Sequence, residues 1–478
     1  MIRAELSAGE APALHLDGDG PAPAAVTLRG RRVELPGEVH AARRGWRATL
    51  PLTASLWAGP RLPIPSGEYT VLLDGAPAEI ADVPVERTGE LNVAVVDGRI
   101  VVSAPLTSEE ASGEGQAELE RRYATEQVAV RDAVFFESFY GRTAGCNPRA
   151  LDAEIARVSP STVRYWSVVD RSVAVPDGAV PVVEGSAAWW QARAESRLLV
   201  VNDWLRRRFV RRPGQRVLQT WHGTPLKRLA LHRPGFDPRR AVAVIKESRR
   251  WDVLLAQNPY AAGILTKAYA FFRKPVWIEG YPRNDVLRTG DAAAIRDVLG
   301  IASGERALLY APTWRDDREQ MVDFLDLEKL ARDADAVLLV RGHSRTLIPG
   351  SDTSGARVID VTSYPDVSEL LLAADGLITD YSSVMFDFSA TGKPMYFFVP
   401  DLEHYRGRLR GFYFDLAERA PGPVVDTQAA LTESLRDVDA PDRFAARYES
   451  WRSRFTARED GRSAERVVAR LRDQGFLG

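Results

Sequence analysis

Several residue types and sequence patterns are scarce or missing in this 478-residue chain. Cysteine occurs once, as Cys146. A single cysteine excludes a disulfide framework and any cysteine-rich zinc module, and it favours a reducing, cytoplasmic location. No stretch approaches the roughly 18–20 uninterrupted apolar residues of a membrane span, so any membrane contact is expected to be peripheral. No signal peptide is expected, because acidic residues rather than a basic and apolar pattern occupy the first positions.

The common nucleotide-binding loops are also missing. No GxxxxGK[ST] motif occurs, since TGKP at 391–394 has proline where a magnesium-binding hydroxyl is needed. No GxGxxG motif follows a predicted strand. The histidine and cysteine spacing supports no zinc site, so we expect no cofactor and no dedicated protein metal site.

Charge is balanced overall but unevenly distributed along the chain. Sixty-three Lys and Arg against 65 Asp and Glu leave a net charge of −2, so no nucleic-acid partner is expected. Residues 206–250, however, carry 14 Lys and Arg against only Asp237 and Glu247. Such a tract attracts phosphate-bearing partners or an anionic bilayer surface. The alternative is an ordinary solvated, arginine-rich helix face.

The pattern of apolar runs predicts an α/β protein preceded by a smaller β-rich region. Early in the chain, short apolar runs alternate with Gly and Pro turns, which is typical of a small sandwich or barrel. Asp97-Gly98 suits the tight turn of a hairpin. Later, strands and amphipathic helices alternate twice, which predicts parallel sheets covered by helices. We therefore predict three regions: a β-rich accessory domain with linker (1–120) and two Rossmann-like domains (130–290 and 300–478, the latter with terminal helices).

The most chemically informative motif is TWHGTPLKRL at 220–229. It directly follows a predicted strand, so His222 is expected at the carboxyl end of that strand, where α/β proteins place reactive groups. Gly223 permits close backbone approach, and Lys227 supplies a cation suited to phosphate. A histidine there can act as a general base near neutral pH, although a hydrogen-bonded turn histidine is the alternative.

Further candidates follow strands of the second half. In RGHSR (341–345), His343 lies between two arginines that could hold a phosphate oxygen. In TDYSSVMFDF (379–388), Ser382 and Ser383 open a predicted helix, which suits an anion or is an ordinary N-cap.

Two more motifs carry polar groups near the predicted cleft. Thr313 and Arg315 in YAPTWRDD combine a hydroxyl with a guanidinium at the end of a strand. Arg283 and Asp285 in GYPRNDVL could line the cleft between the halves, or this segment could be a hinge turn.

Together, these motifs resemble the CDP-glycerol glycerophosphotransferases, the teichoic-acid primases and polymerases of bacterial cell walls. The resemblance covers about residues 130–460 and leaves 1–120 without a role. It rests on motifs in the family's order: FFESFYGR (135–142), QTWHGTPLK (219–227), AQNPY (256–260), GYPRNDVL (280–287), YAPTWR (310–315), RGHS (341–344) and TDYSSVMFDF (379–388).

The resemblance implies a GT-B fold, in which two Rossmann-like domains face each other and the C-terminal one binds a CDP-linked donor. It implies transfer of glycerol phosphate, or a related polyol phosphate, from CDP-glycerol or CDP-ribitol to a lipid-linked acceptor, with release of CMP. It also implies a peripheral position on the inner membrane face, which the 206–250 tract fits independently. Magnesium could accompany the pyrophosphate. The rival functions are a GT-B glycosyltransferase using a nucleotide sugar and a non-catalytic polymer-binding protein.

Carried onto this sequence, the resemblance makes His222 the candidate base and His343 a second catalytic residue that holds the pyrophosphate. The candidate donor- and phosphate-binding residues are Gly223, Thr224, Lys227, Arg283, Thr313, Arg315, Arg341, Ser344, Asp380, Ser382 and Ser383.

Overall fold

A computed structural model describes residues 2–7, 11–31, 33–42, 45–235, 237–313, 324–342, 357–402 and 411–478. Its described strands form a large antiparallel sheet and a two-stranded antiparallel hairpin near the start of the chain, and two parallel sheets after them. In these ranges, no helix combines the length and the apolar character that crossing a bilayer requires.

The N-terminal sheet has ten strands, and a separate two-stranded hairpin lies beside it. The turn at Asp97-Gly98 has positive φ at both residues (48° and 73°) and pairs Val96 with Arg99, which confirms the predicted hairpin. The strands of the sheet are Arg3–Ser7, Ala13–Gly18, Val26–Gly30, Glu34–Ala41, Trp46–Pro51, Gly67–Leu73, Ala76–Pro77, Val83–Arg87, Asn92–Val96 and Arg99–Ser103, and those of the hairpin are Thr53–Ser55 and Arg61–Pro63.

The first parallel sheet has seven strands, and its first strand in sequence lies inside the sheet. Numbered along the chain, the strands are ordered 3-2-1-4-5-6-7. The apolar runs are buried on both faces: Phe135 belongs to the core on one side, and Val134 and Phe136 belong to the core on the other. The strands are Arg131–Glu137, Val163–Val168, Val180–Val183, Ser196–Val201, Arg216–Gln219, Val253–Ala256 and Val276–Ile278.

The second parallel sheet has six strands in the order 3-2-1-4-5-6. Both parallel sheets therefore share the strand order of doubly wound nucleotide-binding folds. The strands are Ala307–Ala311, Val337–Val340, Val358–Asp360, Gly376–Thr379, Met395–Phe398 and Val424–Val425.

Helices cover both faces of the parallel sheets. The described α-helices are Ser108–Ala111, Gly113–Thr125, Cys146–Val158, Ala187–Glu195, Pro238–Ser248, Pro259–Ala268, Val286–Thr289, Ala292–Val298, Leu327–Asp333, Val367–Ala373, Val384–Phe388, Leu416–Arg419, Gln428–Arg436, Ala440–Phe455 and Ser463–Asp473.

The last helix, Ser463–Asp473, crosses back to the first parallel sheet. Val467, Val468 and Leu471 lie in the same core as Trp277. The Asp285 carboxylate accepts hydrogen bonds from the backbone nitrogens of Ser463 and Ala464, at 2.9 and 2.8 Å. The chain that follows the second sheet therefore completes the core of the first.

Each parallel sheet and the helices that cover it form one unit, called the first and the second unit in chain order. The N-terminal sheet region contacts both units. Trp57, at the tip of the small hairpin, donates from Nε1 to Ser363 Oγ at 3.0 Å, and its ring lies 5.4 Å from that of Tyr364. On the other side, the Ser66 nitrogen donates to the Asp170 carboxylate at 2.8 Å. The N-terminal sheet region is thus docked on both parallel units.

Candidate active site

The His222 loop follows the strand Arg216–Gln219, as the sequence predicts, and its backbone bends sharply at Trp221 (φ 54°). The Trp221 nitrogen donates to the Gln219 side-chain oxygen at 2.9 Å, which holds this left-handed conformation. The bend directs the chain across the carboxyl edge of the sheet. His222 thereby reaches the end of the neighbouring strand Ser196–Val201.

A backbone carbonyl fixes the tautomer of His222. Its Nδ1 lies 2.6 Å from the carbonyl oxygen of Asn202. Because a carbonyl oxygen can only accept, Nδ1 carries the proton and Nε2 keeps its lone pair. The imidazole is therefore arranged to accept a proton at Nε2.

Aromatic rings enclose His222 on two sides. The Trp221 ring stacks on the imidazole at 4.8 Å, and the Phe139 ring meets it edge-on at 5.4 Å. Burial lowers the pKa of His222, and nearby Asp203 partly opposes that effect. The imidazole is therefore neutral near pH 7, which is the form that a general base requires.

Gly223 brings this loop against the serine motif of the second unit. A Cβ atom built at Gly223 would lie 2.7 Å from Ser383 Oγ and 3.1 Å from Ser383 Cβ, so a larger residue here would force the Ser383 side chain to shift. The predicted helix after the serines is short, Val384–Phe388, and Ser383 makes no side-chain cap to it. The structure thus brings His222, Gly223 and Ser383 together across the two units.

Arg283, which the sequence placed either in the cleft or in a hinge turn, is buried between the units. Its Nη2 donates to the Asp387 carboxylate at 2.5 Å, and the two side chains are only 6% and 5% exposed. Its Nη1 donates to the carbonyl oxygen of His222 at 3.0 Å and to Cys146 Sγ at 3.1 Å. A guanidinium so occupied positions the His222 loop relative to the segment that follows Ser383.

A buried polar network extends this contact. The Gln257 amide donates to Asp387 Oδ1 at 3.0 Å and to Glu459 Oε1 at 2.9 Å. Thr224, expected to bind the donor, donates its hydroxyl proton to Gln257 and accepts from the Asn258 amide at 2.9 Å. Its hydroxyl therefore supports the base of the His222 loop.

Lys227 lies in a short antiparallel bridge between the two units. It pairs with Phe412, while the Arg228 nitrogen donates to the Gly411 carbonyl at 3.0 Å. The Tyr413 nitrogen donates in return to the Leu226 carbonyl at 2.9 Å. The segment after the His222 loop is thus fixed to the second unit.

The remaining described candidates lie at the carboxyl edge of the second sheet. The Thr313 nitrogen donates to both Asp380 carboxylate oxygens, at 2.8 and 3.0 Å, which joins the loops after two neighbouring strands. Arg341 donates from Nη1 to the carbonyl oxygens of Val361 and Tyr364, at 3.1 and 2.9 Å. The Ser382 hydroxyl accepts from the Val384 nitrogen at 3.5 Å.

Arg315, His343 and Ser344 lie outside the described residues. Within the described ranges, no group of three or more His, Cys, Asp or Glu side chains is arranged to hold a metal ion.

Several site residues escaped the sequence analysis. Asn202 and Asp203 follow a predicted strand, and a polar pair at that position was an available signal. Asp387 is a lone charge in the apolar run VMFDF, and Gln257 lies in AQNPY, a motif that entered only through the resemblance. Glu459 has no local signal, because its partners are distant in sequence.

Comparisons with known proteins agree with this geometry. A family model described as CDP-Glycerol:Poly(glycerophosphate) glycerophosphotransferase matches residues 121–473. The chain is 37% identical over 367 residues to the teichoic acid poly(glycerol phosphate) polymerase of Bacillus subtilis (strain 168), which covers 72% of this chain and 49% of that protein. It is 34% identical over 371 residues to the teichoic acid glycerol-phosphate transferase of Staphylococcus aureus, covering 70% and 92%.

The solved structure of the wall teichoic acid polymerase TagF superposes with a TM-score of 0.70 at 32% identity, over 75% of this chain and 93% of that one. This chain spans about half the length (49%) of the B. subtilis polymerase sequence. The family match, over residues 121–473, includes both the His222 loop and the Ser383 loop. The chain belongs to the CDP-Glycerol:Poly(glycerophosphate) glycerophosphotransferase family.

Proposed function

We propose that this chain transfers glycerol phosphate from CDP-glycerol to a hydroxyl of a cell-wall polymer precursor and releases CMP. The observation that carries the proposal is the position of His222. Its Nε2 lone pair is available in a neutral imidazole, and the adjacent Gly223 touches Ser383 of the other unit. Membership in the glycerophosphotransferase family supplies the reaction class.

In the proposed reaction, the acceptor hydroxyl gives its proton to His222 Nε2 while its oxygen attacks the β-phosphorus of the donor. The bond between that phosphorus and the bridging oxygen breaks, and CMP leaves with the bridging oxygen. Phosphoryl transfer of this kind depends mainly on positioning and charge stabilisation. In this proposal, any Mg²⁺ is carried by the donor's pyrophosphate.

The donor is assigned to the second unit. Ser382, Ser383 and Thr313 offer polar groups at the carboxyl edge of its sheet, the edge at which open α/β sheets bind ligands. Arg315, His343 and Ser344 complete the assignment on the strength of the resemblance. Arg283, Thr224 and Asp380 are assigned positioning roles, since their polar groups contact other parts of the protein. The two doubly wound sheets, with the His222 loop of one unit lying against Ser383 of the other, support the proposed GT-B layout.

A CMP-release assay tests the proposal. The unmodified protein should release CMP from CDP-glycerol when an acceptor is present, and His222→Ala should lose that activity while still binding CDP-glycerol. His40→Ala is the matched control, because His40 is an exposed histidine of the N-terminal sheet. Undiminished turnover by His222→Ala would remove this residue as the base.

A thermal-shift comparison addresses the donor. CDP-glycerol, CDP-ribitol and UDP-sugars should be compared, and stabilisation by the CDP-polyols is expected. Selective stabilisation by UDP-sugars would favour a glycosyltransferase, and no stabilisation together with no turnover would favour a non-catalytic polymer-binding protein. Mass spectrometry of the products would show which polyol phosphate is added and how many units.

We also propose that the protein works on the cytoplasmic face of the membrane and contacts it through the exposed part of the 206–250 tract. The helix Pro238–Ser248 supports this, because Arg239 and Lys246 are exposed beside Val242, which is 66% exposed. Salt-sensitive binding to anionic vesicles is expected. Charge reversal at Arg239 and Lys246 should weaken that binding, and unchanged binding would refute this surface.

A further inference from the structure

A constrained turn flanks His222 on the side of Phe139. Phe139, Tyr140 and Gly141, just beyond the strand Arg131–Glu137, all have positive φ (47°, 60° and 74°). The Asn202 side-chain oxygen accepts from the Phe139 nitrogen at 2.8 Å. Non-glycine residues adopt this conformation only when their surroundings impose it. The turn is therefore held by the residue whose carbonyl also fixes the His222 tautomer.

The same turn fixes the ring of Tyr140. Its hydroxyl donates to Asp203 Oδ1 at 2.6 Å, and Asp203 directly follows Asn202. The Asp203 carboxylate also accepts from the Trp204 nitrogen at 2.8 Å. The phenol is thereby anchored by its edge, and its face remains available for another group.

The Arg206 guanidinium stacks on that face of the Tyr140 ring. The guanidinium carbon lies 3.4 Å from the centroid of the Tyr140 ring, although the Arg206 residue is exposed. Stacking on an aromatic face orders the planar guanidinium. In the described part of the chain, Arg206 forms no ion pair, whereas the next residue, Arg207, pairs with Glu184 at 2.8 Å.

We propose that Arg206, held on Tyr140, binds the phosphate of the acceptor that neighbours the attacking hydroxyl. This inference rests on the proposed function and specifies how the acceptor is recognised at the same site. The Gly223 side of the His222 loop contacts Ser383, which is assigned to the donor, so the Phe139–Tyr140 flank remains for the acceptor. In a glycerol phosphate polymer, each hydroxyl-bearing unit has a phosphodiester beside it.

Arginine suits this task better than lysine. Its planar fork can donate two parallel hydrogen bonds to two phosphate oxygens, and the stacked ring reduces the entropy lost on binding. Lysine would offer a point charge without that planar contact. Arg206 therefore selects an anionic acceptor and holds it in a fixed orientation, with the acceptor's hydroxyl toward His222.

The test is Arg206→Gln, with Arg208→Gln as the matched control. Arg208 is an exposed arginine two residues away, and in the described structure it stacks on no aromatic ring. The assay uses saturating CDP-glycerol, no lipid, and a short water-soluble glycerol phosphate oligomer as acceptor. Arg206→Gln should raise the KM for the oligomer about tenfold or more and largely preserve kcat, because a charge-assisted hydrogen bond to substrate is lost.

Two further measurements separate acceptor recognition from a structural role. With free glycerol, which offers a hydroxyl without phosphate, Arg206→Gln should change kcat/KM less than twofold. Tyr140→Leu, which removes the stacking surface, should raise the oligomer KM in the same direction as Arg206→Gln. Arg208→Gln should match the unmodified protein in both lipid-free assays.

Several outcomes would overturn the inference. One is an unchanged oligomer KM in Arg206→Gln while the unmodified protein turns over, a result that leaves the proposed function intact. Equal losses with the oligomer and with glycerol would point to structural damage. Reduced binding to anionic vesicles with an unchanged oligomer KM would assign Arg206 to a lipid surface. Absence of CMP release by the unmodified protein would overturn the proposed function together with this inference.

Discussion

Glu459 should make the protein less stable as pH rises. It lies between the last two helices and is only 4% exposed. Its Oε1 accepts from the Gln257 amide at 2.9 Å and from the Tyr281 nitrogen at 3.1 Å. Burial raises the pKa of this carboxyl to about 8, so it is protonated in the folded protein at neutral pH.

The sign and size of the effect follow from proton binding. An unfolded glutamate releases its proton near pH 4.5, whereas the folded protein keeps the Glu459 proton until about pH 8. Between these limits the folded state binds one more proton, so the free energy of unfolding decreases as pH rises. The full contribution is present below pH 4.5 and is lost above pH 8. At 1.36 kcal/mol per pH unit, it amounts to ~5 kcal/mol.

Urea unfolding of the full chain measures this contribution. Glu459→Gln keeps an oxygen to accept both hydrogen bonds but removes the titration. Its unfolding midpoint should change less with pH than that of the unmodified protein, and the gap should grow from pH 5 to pH 8.5. Glu433→Gln, an exposed glutamate on the helix Gln428–Arg436, is the control. The same pH slope in Glu459→Gln and the unmodified protein would refute the reasoning.

Three further predictions concern the site. Because burial lowers the pKa of His222 and the base must be unprotonated, kcat/KM should fall toward acid with a midpoint below 6.5; a midpoint above 6.5 contradicts this. Gly223→Ala should lose most CMP release and keep a wild-type melting curve, since its Cβ meets Ser383; retained activity contradicts the contact. Arg283→Met or Asp387→Leu alone should lower the free energy of unfolding by ~3–5 kcal/mol, and the double variant should lower it by less than the sum of the two. Additive losses would contradict an interaction between the two buried side chains.

Much of the fold was predictable because its parallel strands are short apolar runs bounded by turn residues. The predicted double alternation of strands and helices is confirmed by the two parallel sheets. Two of their strands carry only a weak sequence signal. Val180–Val183 contains a proline, and Val424–Val425 has only two residues; both lie at the edge of a sheet, where burial imposes the weakest apolar pattern.

The site was predictable only in part, because adjacency in sequence shows which groups share a loop but not which group an arginine contacts. His222 was located from its place after a strand, a local property. The sequence could not decide between a cleft position and a hinge turn for Arg283, because its partner Asp387 lies 104 residues away. The burial of Arg283 depends on contacts from both units, which the sequence around it does not show. Likewise, the last helix was grouped with the second half, although its core partners belong to the first.

The buried network has a consequence for the proposed catalysis that an apolar contact between the units would lack. Two apolar surfaces can slide past each other with little loss of free energy. Each donor in this network, in contrast, reaches its acceptor in only one relative position of the two units. Arg283 joins the carbonyl of His222 to Asp387, which lies four residues beyond Ser383. One guanidinium therefore relates the candidate base directly to the segment that carries the candidate donor site. Displacing either unit would leave a buried charge unpaired, so the pair favours the arrangement in which the proposed transfer can occur.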